Sequence, residues 1–100
     1  MTQVERTVLA HACVSTGRGH HYLKSLAQRW RGKVEVAFAP DAARIDLPAG
    51  PCILSAGPGS LAILVQAEDE GRLEDLQWVI GARLERLGRS EGLQVVWSRT

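Results

Sequence analysis

Three histidines, two cysteines and an arginine set between glycines are the residues of this chain best equipped for chemistry. His11 and Cys13 stand two apart, so on a strand they share a face; His20 and His21 come after a short break. His11, Cys13 and His20 together offer an imidazole–thiolate–imidazole set of the kind zinc accepts, if the strand folds back beside the helix after it. The spacing matches no established metal motif, however, and adjacent histidines on a helix diverge by about 100°. Solvated or core histidines are the favoured reading. Cys13 near a helix N-terminus would be an activated thiolate. With no Cys-x-x-Cys and no Cys–His–Asn arrangement, a small buried hydrophobe is favoured instead, for Cys13 as for Cys52.

Gly17-Arg18-Gly19 lies where a phosphate cradle would, between a strand and a helix, and Arg18 can pair with an anion. Arg18, His20 and His21 are therefore candidate ligand-binding residues. The loop lacks the Gly-x-Gly-x-x-Gly spacing, because His20-His21-Tyr22 come next, so it is not a full phosphate-binding fingerprint. Gly57-Pro58-Gly59-Ser60 joins two strands and reads as a hairpin turn. Arg18, Lys24, Arg29, Arg31 and Lys33 gather with Trp30 on or just after one helical stretch. That is either a surface for nucleic acid or an acidic partner, or a solvated helix face with cations at its C-terminal end. The formal net charge of +1 favours the solvated face, so no nucleic-acid partner is expected. Glu68-Asp69-Glu70 and Glu74-Asp75 suit a helix start better than a catalytic pair. Trp78 stands more than about 100° from the leucine stripe of its helix, which suggests edge packing or, less favoured, an anchor for a partner.

The elements that must carry these residues are legible from periodicity. Val8, Ala10, Ala12 and Val14 alternate with Thr7, Leu9, His11 and Cys13, a strand broken by Ser15-Thr16-Gly17. Ser15 or Thr16 is then the expected N-cap of a helix whose stripe is Tyr22, Leu23, Leu26, Ala27 and Trp30, ended by Gly32. Val34–Ala39, Ala43–Leu47, Cys52–Ala56 and Leu61–Ala67 come next as strands, separated by Pro40-Asp41, Pro48-Ala49-Gly50-Pro51 and Gly57–Ser60. Connections so short demand antiparallel hairpins. Asp69 or Glu68 caps a second helix with stripe Leu73, Leu76, Ile80, Leu84 and Leu87, and Gly88 ends it. Leu93, Val95 and Trp97 alternate in a short closing strand.

The order β-α-β-β-β-β-α-β implies an α+β fold: one antiparallel sheet with both helices packed on one face, burying Val36, Ile45, Leu54 and Ile63. The opposite face then carries Glu35, Ala37, Arg44, Asp46, Ile53, Ser55, Ala62, Leu64 and Gln66, mixed enough to serve as a partner surface. Residues 1–100 are expected to form one domain. No apolar run approaches the roughly 20 residues of a membrane span, and Met1–Arg6 lacks the apolar core of an export signal. A cytoplasmic protein with no membrane partner is the expectation.

His21-Tyr22-Leu23-Lys24-Ser25-Leu26-Ala27-Gln28-Arg29-Trp30, with Lys33, Val36 and Phe38, resembles a small bacterial family, domain of unknown function 2218. Arg44-Ile45-Asp46 before a Pro-Gly turn, Cys52-Ile53-Leu54, the Leu73–Leu87 helix and Val95-Val96-Trp97 extend the resemblance from Val8 to Trp97. The resemblance implies a TATA-binding-protein-like α+β fold and no established activity. It also implies an association with siderophore or iron-acquisition proteins. Many relatives carry Cys, His and a second His where this chain has Ala27, Arg29 and Gly32, so no metal or redox role carries over to those positions.

The sequence therefore favours a non-enzymatic accessory or binding module. It would self-associate as a homodimer through the open sheet face, with Ala37, Ile53, Ala62 and Leu64 as interface candidates, or meet a siderophore-related protein. The alternative is a small-ligand or metal-binding protein using the first strand and helix. No cofactor is identified, and an enzymatic reading lacks a general base with an identifiable partner.

Overall fold

The computed structural model describes residues 7–99. Strand β1 (Val8–Ser15) leads through a short loop to helix α1 (Gly19–Trp30); strands β2 (Val36–Ala39), β3 (Ala42–Leu47), β4 (Gly50–Ala56) and β5 (Ser60–Ala67) come after it. Helix α2 (Glu70–Leu87), a 3-10 turn at Arg89–Glu91 and strand β6 (Ser98–Arg99) complete it. The strands form one six-stranded sheet in the order β2-β3-β4-β5-β1-β6, every neighbouring pair antiparallel. The expected meander is thus β2 to β5, and β1 is inserted beside β5 rather than beside the strand it leads to.

Alternation decides the faces. Ala43, Leu54, Ile63 and Ala12 stand in one register row and Ile45, Cys52, Val65 and Ala10 in the next, and all eight are buried. Against them α1 presents Tyr22, Leu23, Leu26 and Ala27, and α2 presents Leu73, Leu76, Ile80 and Leu84. Helix α1 covers β3 and β4, α2 covers β5 and β1, and the helices touch each other. Two leucine-rich stripes and one sheet face make a single core, but Leu87, expected on the second stripe, is exposed, and Trp30 and Val36 are only partly buried at its margin.

Local chemistry sets the boundaries. The Asp69 carboxylate accepts from the Arg72 N–H at 2.8 Å, capping α2 as expected. In the β3–β4 hairpin Gly50 has φ +151°, and a Cβ there would lie 1.9 Å from the Gln66 carbonyl oxygen, so the hairpin closes only on glycine. Three expectations are corrected. Ser15 does not break the first strand but ends it, paired with Ser60. Helix α1 starts only at Gly19, so neither Ser15 nor Thr16 is its cap; Arg18 holds that position without a side-chain bond. The alternating Leu93, Val95 and Trp97 do not form a strand, and β6 is two residues long. That segment runs along α2 instead: the Leu93 N–H donates to the Gly88 carbonyl at 3.0 Å and the Val95 N–H to Glu85 Oε2 at 3.0 Å. An extended segment crossing a helix buries alternate residues just as a strand does, which is why the pattern misleads.

Candidate functional site

The loop and first turn of α1 hold the densest polar cluster. Thr16 is buried, and its hydroxyl accepts from the Arg18 N–H at 3.0 Å while facing Glu91 Oε1 and Oε2 at 3.0 and 3.2 Å. The hydroxyl of buried Tyr22 donates to the same Glu91 carboxylate. That bond, with burial and the carboxylate's charge behind it, raises the Tyr22 phenol above its ordinary value. The same bond, helped by Thr16 and by the Arg18 charge, holds Glu91 below the ordinary carboxylate range despite some desolvation. The Arg18 guanidinium lies 5.6 Å from the Tyr22 ring centroid and His21 meets that ring edge-on, also at 5.6 Å.

This arrangement answers the phosphate-loop reading. The carboxylate beside Arg18 is supplied by the chain itself, from the 3-10 turn just after α2. His20 turns away, its Nε2 2.7 Å from Asp41 Oδ1 in the β2–β3 turn. Arg18, His20 and His21 are therefore not brought together: two lean on Tyr22 and the third reaches a different hairpin. What the cluster does is tie the end of α2 to the start of α1.

The metal reading meets a geometric correction. His11 and Cys13 are exposed on the open face of the sheet, opposite Leu64 and Ala62, whereas His20 is in the helix layer behind it. The sheet separates them, and among the described residues no three His, Cys, Asp or Glu side chains stand close enough to hold one ion. Cys13 is exposed, against expectation, because its register position points away from the helices. Cys52 is buried as expected, and desolvation pushes its thiol up to about 12. The two cysteines lie on opposite faces with β5 between their strands, so they do not pair.

The interface candidates do share a surface. Ile53 and Leu64 are directly opposed on β4 and β5, both half-buried. Ala62 lies between Ser55 and Cys13, and Ala37 pairs with Arg44 toward the β2 edge. Arg44, directly beside Ile53, forms an ion pair with Asp46 at 2.9 Å on the same face, and His11 stands beside Leu64 on the other side.

Sequence reasoning missed the outer side of the helix layer. Trp78 is 74% exposed, so edge packing is not its role. It stands on a ridge between two grooves. One holds Gln77, Glu85, Val95 and Trp97, with the Trp97 indole so close over α2 that a Cβ at Gly81 would lie 3.2 Å from its Nε1. The other, about 440 Å³, lies between the C-terminal part of α1 and α2 and is lined by Arg29, Trp30, Lys33, Val79, Arg83 and Arg86. The sequence does carry a signal for it: Val79, Arg83 and Arg86 recur at helical spacing on one side of α2.

The architecture is that of an α+β domain with two helices on one face of an open antiparallel sheet. The chain belongs to the family described as "Uncharacterized protein conserved in bacteria (DUF2218)", whose model matches residues 11–98. Among solved structures it is similar to the NMR structure of PA4090 from Pseudomonas aeruginosa, with 28% sequence identity and a TM-score of 0.78. That match covers 91% of this chain and 95% of the other. No curated protein matches the chain.

Proposed function

We propose that the chain is a non-enzymatic accessory module that associates with a second copy of itself through the open face of its sheet. The observation that carries this reading is the Ile53–Leu64 pair at the middle of a face that neither helix covers. Ala62 adjoins Leu64 along β5, while Arg44 and His11 flank the pair in its own register row, so a small apolar centre is edged at once by polar side chains. A second copy suits this face because its ion pair is internal and the chain's net charge of +1 sets up little repulsion between copies. Should the module serve siderophore use, as the family resemblance implies, it does so through a partner protein.

Sedimentation velocity across a concentration series tests this. The unaltered chain is expected to shift from monomer to dimer as concentration rises. Leu64→Glu places a charge at the contact and is expected to hold the chain monomeric with its circular dichroism unchanged. A folded Leu64→Glu variant that associates as the unaltered chain does would refute the reading.

A further inference from the structure

We infer that the groove between α1 and α2 is a binding site for a small anion carrying a planar aromatic ring. This inference is independent of pairing through the sheet, because the groove lies in the helix layer on the other side. Four cationic side chains, Arg29, Lys33, Arg83 and Arg86, line it and no carboxylate does. Among the described residues none of the four has an acid within 4.0 Å, whereas Arg44, Arg72 and Arg99 each do. Glu85, next to Arg86 in sequence, faces the other groove and accepts from the Val95 N–H there.

Helix dipoles account for part of this. Arg29 and Arg86 fall in the last turns of their helices, where a cation is stabilised by the carbonyl ends. The dipole does not explain why Lys33, beyond α1, and Arg83, a turn before the end of α2, join them in one concavity. Nor does it explain the indoles. Trp30 and Trp78 line the same groove, and Trp78 and Val79 keep 74% and 37% of their surface in water. The exposed Trp78 indole and the half-buried Trp30 indole beside unpaired cations offer two complementary contacts. The ring of a ligand can stack on tryptophan while its anionic group meets guanidinium or ammonium. A groove of about 440 Å³ suits a ligand of small-molecule size.

The three tryptophans give three indole N–H signals, so nitrogen-15 NMR of the full chain reads the site directly. The probes are 1-naphthalenesulfonate and ATP, which join ring and charge; tripolyphosphate, which has charge alone; and adenosine, which has a ring alone. Both ring-bearing anions are expected to shift the Trp30 and Trp78 indole signals more than that of Trp97. They should bind more tightly than tripolyphosphate or adenosine and weaken at high salt. Arg83→Glu with Arg86→Glu should cost on the order of tenfold in affinity, as loss of exposed charge contacts does, with the rest of the spectrum retained. The assignment fails if neither ring-bearing anion moves Trp30 and Trp78, or if tripolyphosphate binds as well as ATP. It fails too if an eight-residue oligothymidylate binds far more tightly than either ring-bearing anion, since the groove would then be a path for a nucleic-acid strand.

Discussion

Ile53 and Leu54 are neighbours in β4 and face opposite surroundings. Leu54 is fully buried between β3, β5 and the helix layer, while Ile53 is half-buried on a sheet surface that no element covers. The same contrast separates Cys52 from Cys13 and holds along β1, β3, β4 and β5. On the helix face, size and shape are fixed by packing. On the open face the residue types are mixed, and the Ile53–Leu64 pair stands between Arg44 and His11. A sheet that needed only to fold could carry polar residues throughout its solvent side. Under the proposed pairing, half-buried Ile53 and Leu64 serve contact rather than stability.

Measurements on single residues sharpen that contrast. Leu54→Ala should cost roughly 2–5 kcal/mol in urea unfolding, the range for emptying a packed core site. Ile53→Ala at low concentration should cost about 1 kcal/mol or less, since little packing is lost. Equal costs would mean that the two faces do not differ as described. Thiol titration gives the same contrast chemically. In dilute native protein one thiol per chain, Cys13, should react promptly, and Cys52 only after denaturation, because burial pushes its thiol up to about 12 and shuts out the reagent. Two thiols reacting without denaturant would contradict the buried placement of Cys52.

A smaller effect tests the tie between the helix ends. Glu91 titrates below its ordinary value of 4.5 in the fold, so the stability it contributes is present above that value and is lost as pH falls through the folded value. Tyr22 titrates above its ordinary 10.0, so its contribution is present below that value and is lost as pH rises through the folded value. Tyr22→Phe removes the shared bond and should flatten both limbs of a plot of melting temperature against pH. An unchanged profile would show that the bond does not couple the two groups.

How far the sequence carries depends on which residues have periodic neighbours. The meander, both helix stripes, the Asp69 cap and the two-sidedness of the sheet can be read from alternation and spacing, because burial imposes them directly. The membership of the open face, Ile53, Leu64, Ala62 and Ala37, is legible for the same reason. Long-range arrangement is not. That Glu91 reaches Tyr22 and Thr16 depends on where α2 ends relative to α1, which no local pattern encodes. Cys13 reads as a buried hydrophobe by type, and only its place in the register shows it exposed. Arg86 satisfies the α2 dipole in sequence, and only the packing of α2 beside α1 sets it and Arg83 with Arg29 and Lys33. Trp97 alternates with Val95 as a strand would, yet its partner is a glycine on a helix.

The pairing of copies through the sheet is tested most directly by isotope-filtered NOE spectroscopy on a mixture of labelled and unlabelled chains at a concentration where dimer forms. Intermolecular NOEs from the methyl groups of Ile53, Leu64 and Ala62 to an unlabelled copy are the expected result. A dimer whose intermolecular NOEs arise instead at Trp78 and Val79, or a chain that gives none and stays monomeric, would contradict the account.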